Sequence, residues 1–342
     1  MLMVIFGAGA SYDSVPSRSP TTFPPRDLPD RPPLANELFD DRPRFIEAIS
    51  RFPQCQPIIP YLRHLQAGTT LERVLEQLQT EAEEYPERHK QLAAVRFYLH
   101  YVLWECKRFW NEIAKGVTNY KTLLDQLERW RKPDQCICLV TFNYDTMLED
   151  ALPTVGVQVR SLPDYISGDA YKVIKLHGSV NWAREVDTRI EGINELNVWK
   201  VAHELIDKAS LLKISERYRM VAEHPIGKSG QVALFPAVAI PVERKRSYEC
   251  PAEHVDALLR CLPEVRKLLV IGWCGAEVPF RELLGKNLRR ELSVMVVAGR
   301  PENAAEPIQR LQEAGITGKF IPARRGFSEF IVRREGDDFL RG

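Results

Sequence analysis

Apolar residues fall in three distinct rhythms along this chain. The first is the short continuous run: Leu2–Phe6, Cys136–Thr141, Val173–Leu176, Val232–Ile240, Lys267–Ile271 and Ser293–Ala298. A strand covered on both faces has no polar side to alternate, so such runs predict buried strands of a parallel sheet. The second rhythm is helical. Leu71, Val74, Leu75 and Leu78 recur at helix spacing, with Glu72, Glu76 and Glu81 elsewhere on the turn. Residues Gln91–Ile113 carry a wide stripe with Phe97, Tyr98, Tyr101, Val102, Trp104, Phe109 and Trp110, expected as core. Asp145–Leu152, Ala252–Cys261 and Ala304–Ala314 also predict helices. The third segment, Val15–Leu34, has no period and holds prolines 16, 20, 24, 25, 29, 32 and 33, which oppose helix and sheet alike. It is expected to be an irregular loop. Strands alternating with helices predict an α/β fold: a Rossmann-like parallel sheet with helices on both faces. Residues 34–131 are expected as a helical insertion within a single domain spanning 1–342.

Composition narrows the partners. Lys and Arg number 47 against 46 Asp and Glu, a formal net charge of +1, which excludes a polybasic nucleic-acid coat and an acidic tail. The pairs Arg289-Arg290, Arg324-Arg325 and Arg333-Arg334 then read as solvated faces or partner contacts. The 44% hydrophobic share suits a full core. No apolar run approaches the ~20 residues of a membrane span. The opening Met-Leu-Met-Val-Ile-Phe lacks the basic start and cleavage site of a secretion signal, so a cytoplasmic location is expected. Seven scattered cysteines (55, 106, 136, 138, 250, 261 and 274) do not form a disulfide framework. Cys136 and Cys138 are the only close pair, and flank one position of a strand. They read as buried thiols, and no zinc ribbon spacing exists.

Chemistry gathers where strands end. Gly7-Ala8-Gly9-Ala10-Ser11 follows the first strand, the place where doubly wound sheets bind dinucleotides against amides at a helix start. A dehydrogenase fingerprint needs a third glycine where Tyr12 stands, and an acidic residue closing the second strand. Asp27 and Asp30 have the right distance but lie in the proline loop, which disfavours hydride transfer. Thr141-Phe142-Asn143-Tyr144-Asp145 and Leu176-His177-Gly178-Ser179 close two further strands. Thr141 or Asn143 could cap a following helix and His177 could be an ordinary turn histidine. Three polar strand ends converging on one crevice favour a site instead.

Those three segments in this order resemble the SIR2 (sirtuin-like) superfamily, and most of all the SIR2-like NADases of bacterial anti-phage defence. Val270-Ile271-Gly272-Trp273-Cys274 resembles that family's next cofactor-binding strand end, and Pro33-Leu34-Ala35-Asn36-Glu37-Leu38 is also similar. The resemblance implies that Gly7, Ala8, Gly9 and Ser11 line an NAD pyrophosphate site, with Thr141, Gly178 and Ser179 bordering the cofactor. It implies that Asn143 and Asp145 lie near the nicotinamide ribose, that His177 is the catalytic histidine, and that Gly272 and Trp273 border the adenosine half. The proline loop falls where members carry a loop that closes over the cofactor. Deacetylating members carry a four-cysteine zinc module after the histidine motif. Here only Cys250, Cys261 and Cys274 follow it, without paired spacing, and Glu277 stands where Asp is commoner.

The expectation is therefore an NAD⁺ glycohydrolase, with NAD as substrate and no metal, acting as a toxic effector. Restraint by homo-oligomerisation or by a partner such as a HerA-type ATPase or a short Argonaute follows from the resemblance. Neither direct nucleic-acid binding nor a membrane is expected. The alternatives are an NAD-dependent protein deacylase or ADP-ribosyltransferase, and a non-catalytic NAD or ADP-ribose-binding module. Asp13 is a further acidic candidate near the glycine turn.

Overall fold

The chain runs β1 (Leu2–Phe6), α1 (Ala8–Tyr12), then α2 (Pro43–Ser50), α3 (Ile59–Arg63), α4 (Leu71–Glu81), α5 (Pro86–Ala114) and α6 (Asn119–Trp130). It continues through β2 (Ile137–Thr141), α7 (Asp164–Ser167), β3 (Tyr171–Lys175), β4 (Gly178–Val186), α8 (Val198–Asp207), β5 (Ile214–Met220), β6 (Lys228–Ser229) and β7 (Val232–Val238). The last part holds α9 (Ala252–Cys261), β8 (Lys267–Ile271), α10 (Val278–Asn287), β9 (Leu292–Val297), α11 (Ala305–Glu313), β10 (Gly318–Pro322), α12 (Phe327–Val332) and α13 (Asp337–Arg341). This computed structural model describes residues 1–21, 28–66, 68–222, 224, 226–242 and 247–341. Pro24, Pro25 and Asp27 of the proline loop lie outside the described residues.

Among the described residues, six strands form one parallel sheet in the order β10-β9-β8-β1-β2-β3. Every residue of β1 and β2 is buried, as their unbroken apolar runs require. Phe6 meets Tyr120 of α6, with ring centroids 5.3 Å apart. Cys138 sits in register with Met3, on the opposite face from Phe6, and there meets Cys261 of α9. Helices therefore cover both faces, and the fold is the expected Rossmann-like α/β class. Cys138 is buried and Cys136 half-buried, and all seven cysteines are free thiols. Among the described residues no helix is long and apolar enough to cross a membrane.

Two expectations need correcting. Val232–Ile240 does not join the parallel sheet. It contributes β7 to a separate antiparallel sheet ordered β5-β4-β7-β6. The cause is β4, which continues straight out of the His177-Gly178 turn and pairs with β7 from Gly178 onwards. Residues 34–131 are helical but do not all pack on the parallel sheet. Helices α2–α5 pack with β4, β7 and α8 around a second hydrophobic core that includes Phe52, Phe97, Val180, Leu205 and Phe235. The end of α5 and all of α6 belong instead to the first core, through Trp110, Tyr120, Leu123, Leu124 and Leu127. Finally, Asp145–Leu152 is a set of turns rather than a helix. The carbonyls that would begin it are already engaged, Tyr144 O by the Val180 amide at 2.8 Å and Asp145 O by the Lys175 ammonium at 2.5 Å.

The parts of the proline loop that are described are anchored by Arg31, which is buried. Its guanidinium donates to the Tyr12 and Arg18 carbonyls at 2.8 and 2.7 Å and lies over the Tyr12 and Trp110 rings.

Candidate active site

The carboxyl ends of β1, β2, β3 and β8 lie side by side, where chain order reverses about β1. Ladder bonding runs one residue past each strand: Gly7 donates to Ile271 O, Phe142 to Phe6 O and Leu176 to Thr141 O. Two of the glycines are there for backbone contact. A Cβ on Gly7 would sit 2.6 Å from the Gly272 oxygen, and one on Gly272, whose φ is +60°, would sit 2.3 Å from the Ala10 nitrogen. The expected diphosphate-binding amides are partly committed as a result. The Gly7, Gly9 and Ala10 amides donate to the Ile271, Gly272 and Gly7 carbonyls at 2.9–3.0 Å. Helix α1 is only five residues long, so its dipole adds little. Half-buried Ala8, Gly9 and Gly272 border the crevice.

The next residues form a saturated polar cluster on the α6 side. The Ser11 hydroxyl donates to Asp145 Oδ2 at 2.6 Å. With its one hydrogen spent, Ser11 Oγ accepts from Asn143 Nδ2 at 2.9 Å, and from Tyr120, whose oxygen lies 3.0 Å away. Asn143 Nδ2 gives its other hydrogen to the Tyr120 oxygen at 3.1 Å. Burial, followed by the nearby Asp145 carboxylate, pushes the Tyr120 phenol well above its ordinary pKa, so it stays a donor. Thr141 Oγ1 takes the Asn143 amide at 3.0 Å, and Asp145 Oδ1 takes the Met147 amide at 2.9 Å. Both N–H groups of the Asn143 carboxamide thus point into the cluster, which fixes its oxygen as an acceptor turned the other way.

His177 lies in a second cluster, across the 142–145 turn. The Phe142 ring meets it edge-on at 4.9 Å, and Tyr144 lies at 6.0 Å. Phe142 also stacks on Trp273 at 5.6 Å, and Phe280 meets Phe142 edge-on at 5.1 Å. Glu277, at the start of α10, accepts the Trp273 indole N–H on Oε2 at 2.5 Å, and its Oε1 is 4.0 Å from His177 Nε2. The histidine's backbone is held by the Ala239 amide, 2.9 Å from His177 O. Gly178 turns the chain sharply at φ +78°, where a Cβ would fall 1.9 Å from Ala237 O. Ser179 Oγ donates to Tyr144 O at 3.3 Å.

The expected residues therefore divide. Ser11, Asn143 and Asp145 touch one another; His177 and Trp273 share the aromatic cluster; the two groups meet through the 142–145 turn. Asp13 does not join either. Its carboxylate caps α12, accepting the Ser328 amide at 3.0 Å and hydroxyl at 2.5 Å, and burial pushes it above its ordinary pKa. Reading the sequence missed Tyr120, which lies in the helical segment, and it did not connect Glu277 to His177. It also missed Lys175, a fully buried ammonium two residues before the histidine. Position 175 ends a strand read as apolar, and a lone Lys beside a candidate site was the available signal. Among the described residues, no three His, Cys, Asp or Glu side chains gather to hold a metal ion.

No protein-family model matches this chain, and no curated protein does. Among solved structures the chain is similar to a Sir2 in complex with the inhibitor EX-527, 2'-O-acetyl-ADP-ribose and a deacetylated p53 peptide. The identity is 14%, the TM-score 0.41, and 100% of this chain and 95% of that one are covered. It is also similar to a Sir2 homolog–NAD complex, at 14% identity and TM-score 0.39 over 99% and 88% of the two chains. A mutant Sir2 homologue bound to ADP ribose gives 14%, 0.41, 99% and 90%.

Proposed function

We propose that this protein is an NAD⁺ glycohydrolase, cleaving NAD⁺ with water to nicotinamide and ADP-ribose. One observation carries the reading. Asn143 and Asp145, bonded to Ser11, lie across a single turn from His177, which is 4.0 Å from the Glu277 carboxylate, next to the point where strand order reverses. The order of the motifs along the sequence supports the same reading, and so does the chemistry. Breaking the bond between nicotinamide and ribose builds oxocarbenium-like positive charge on the sugar. Nicotinamide departs as a neutral base and needs no proton. The residues present fit that group: the Asp145 and Glu277 carboxylates oppose the positive charge that develops on the ribose.

In this reading the Asn143 oxygen, held outward by its committed amide, accepts from a ribose hydroxyl or from the attacking water. His177 takes the proton released when water oxygen bonds to the ribose carbon, a role typically worth 10²–10⁴-fold. Asp145 orients the network through Ser11. Ala8, Gly9, Gly272, Thr141, Gly178 and Ser179 shape the crevice. Activity in anti-phage defence, restrained by self-association or by an ATPase or Argonaute partner, belongs to the same proposal.

The test separates hydrolysis from acyl-lysine chemistry. Nicotinamide and ADP-ribose are quantified after incubation with NAD⁺, with and without an acetyl-lysine peptide, and with and without the neighbouring gene's product. Stoichiometric ADP-ribose without peptide is expected in at least one state. Release that depends on the peptide, or none in any state, contradicts the reading.

A further inference from the structure

Lys175 is the least expected side chain near the crevice. Its side chain is fully buried at the end of β3, where an apolar residue would cost nothing to desolvate. The ammonium donates to the Asp145 carbonyl at 2.5 Å and pairs with Glu149 Oε1 at 2.9 Å. That carboxylate is held in turn by the Tyr165 hydroxyl at 2.9 Å, and Tyr165 by the Trp182 indole N–H at 3.3 Å. The bonds run from β4, through α7 and the 145–152 turns, to the strand that delivers His177.

We propose that Lys175 is a positioning residue for the Asn143–Asp145 turn, an inference about residue roles that rests on the glycohydrolase reading. Without the ammonium the Asp145 carbonyl would be free to begin a helix at 145–152, the conformation that local sequence favours. Helical backbone there would turn the Asp145 side chain away from Ser11 and release the Asn143 amide from its two acceptors. The bond between Lys175 and that carbonyl keeps the turn open and ties the end of β2 to the end of β3. Lys175 acts through the backbone of the turn, at the Asp145 carbonyl.

A double variant separates this role from that of a plain buried charge pair. Lys175→Met alone strands Glu149, so its loss of stability decides nothing. Lys175→Met with Glu149→Gln removes both charges at near-constant volume. The expected result is a cooperatively folded protein with kcat for nicotinamide release about 10²-fold lower and KM changed far less. Wild-type kcat in the double variant overturns the proposal. Hydrogen exchange gives a readout independent of turnover. The Val180 and Met147 amides, bonded to Tyr144 O and Asp145 Oδ1, should exchange about tenfold faster in the double variant, consistent with a loosened turn. Unchanged protection of both amides also overturns it. If the wild-type protein cleaves no NAD⁺, the glycohydrolase reading fails, while the exchange measurement still decides whether Lys175 positions the turn.

Discussion

Ser11 has one hydrogen and three polar neighbours, and that arithmetic fixes the direction of every bond in its cluster. Giving its proton to Asp145 forces Asn143 and Tyr120 to donate to it. Ser11→Ala would leave Asp145 Oδ2 and two donors short of a buried partner. We expect about 1–3 kcal/mol of lost stability in urea unfolding, together with slower nicotinamide release; an unchanged midpoint would show that water replaces the hydroxyl. Gly272 is constrained differently. Both its positive φ and the 2.3 Å approach of a Cβ to Ala10 forbid a side chain. Gly272→Ala should cost more than about 2 kcal/mol by strain and overlap, read as a fall in thermal midpoint. At this scale the sequence was informative about residue type and silent about direction. Gly7 and Gly9 were legible as a tight turn after the first strand, with close approach expected toward a diphosphate. That the approach is of backbone to backbone was not, because the paired residues of β1 and β8 are 265 positions apart and their adjacency is a property of the sheet.

Helix α5 illustrates both the reach and the limit of pattern reading. Its apolar stripe is core, as the aromatic content implied, but it serves two cores, with Phe97 facing Phe235 and Trp110 facing the first sheet. His100 sits on it fully buried, its Nε2–H donating to Val180 O at 2.7 Å, with His224 Nδ1 3.0 Å away. Burial lowers the His100 pKa from 6.5 to about 4, against the raising effect of the Val180 bond. An unfolded chain takes up the proton near 6.5, whereas the folded one does not until about 4. Stability is therefore fully present above 6.5 and is lost as pH falls through that window, by about 3 kcal/mol for this group. Burial lowers His224 and His254 as well, with the same sign. His100→Gln keeps a donor for Val180 and removes the titration. Urea unfolding between pH 6.5 and 4.5 should then show a slope smaller by about one proton; an equal slope would mean that His100 is protonated in the fold. The strands and most helices were legible because burial on both faces leaves a plain apolar signature. The 145–152 turns were not, since a carbonyl captured by a lysine thirty residues later leaves no local trace.

Two cores share the chain, and the second is discontinuous in sequence. Helices α2–α5 close around β4, β7 and α8, so residues 38–106 lack about a third of their core without residues 180–240. A fragment of residues 34–118 expressed alone should consequently be expanded, with poorly dispersed amide resonances; a cooperative unfolding transition in that fragment would contradict the packing. The helical character of residues 34–131 was legible; that most of it packs on an antiparallel sheet was not. β5 carries exposed Glu216, Arg217 and Arg219, and reads as loop until β4 is beside it. The same arrangement supports the crevice, since β4 and β7 hold the backbone of His177 and Gly178 from behind. The central claim is that the crevice between Asn143 and His177 cleaves NAD⁺. It is tested most directly by nicotinamide release from NAD⁺ in wild type, His177→Ala and Asn143→Ala, alongside calorimetric NAD⁺ affinity. The account predicts turnover in wild type, at least a 10²-fold loss of kcat in either variant, and affinity within a few-fold of wild type. Equal turnover in all three proteins would contradict it.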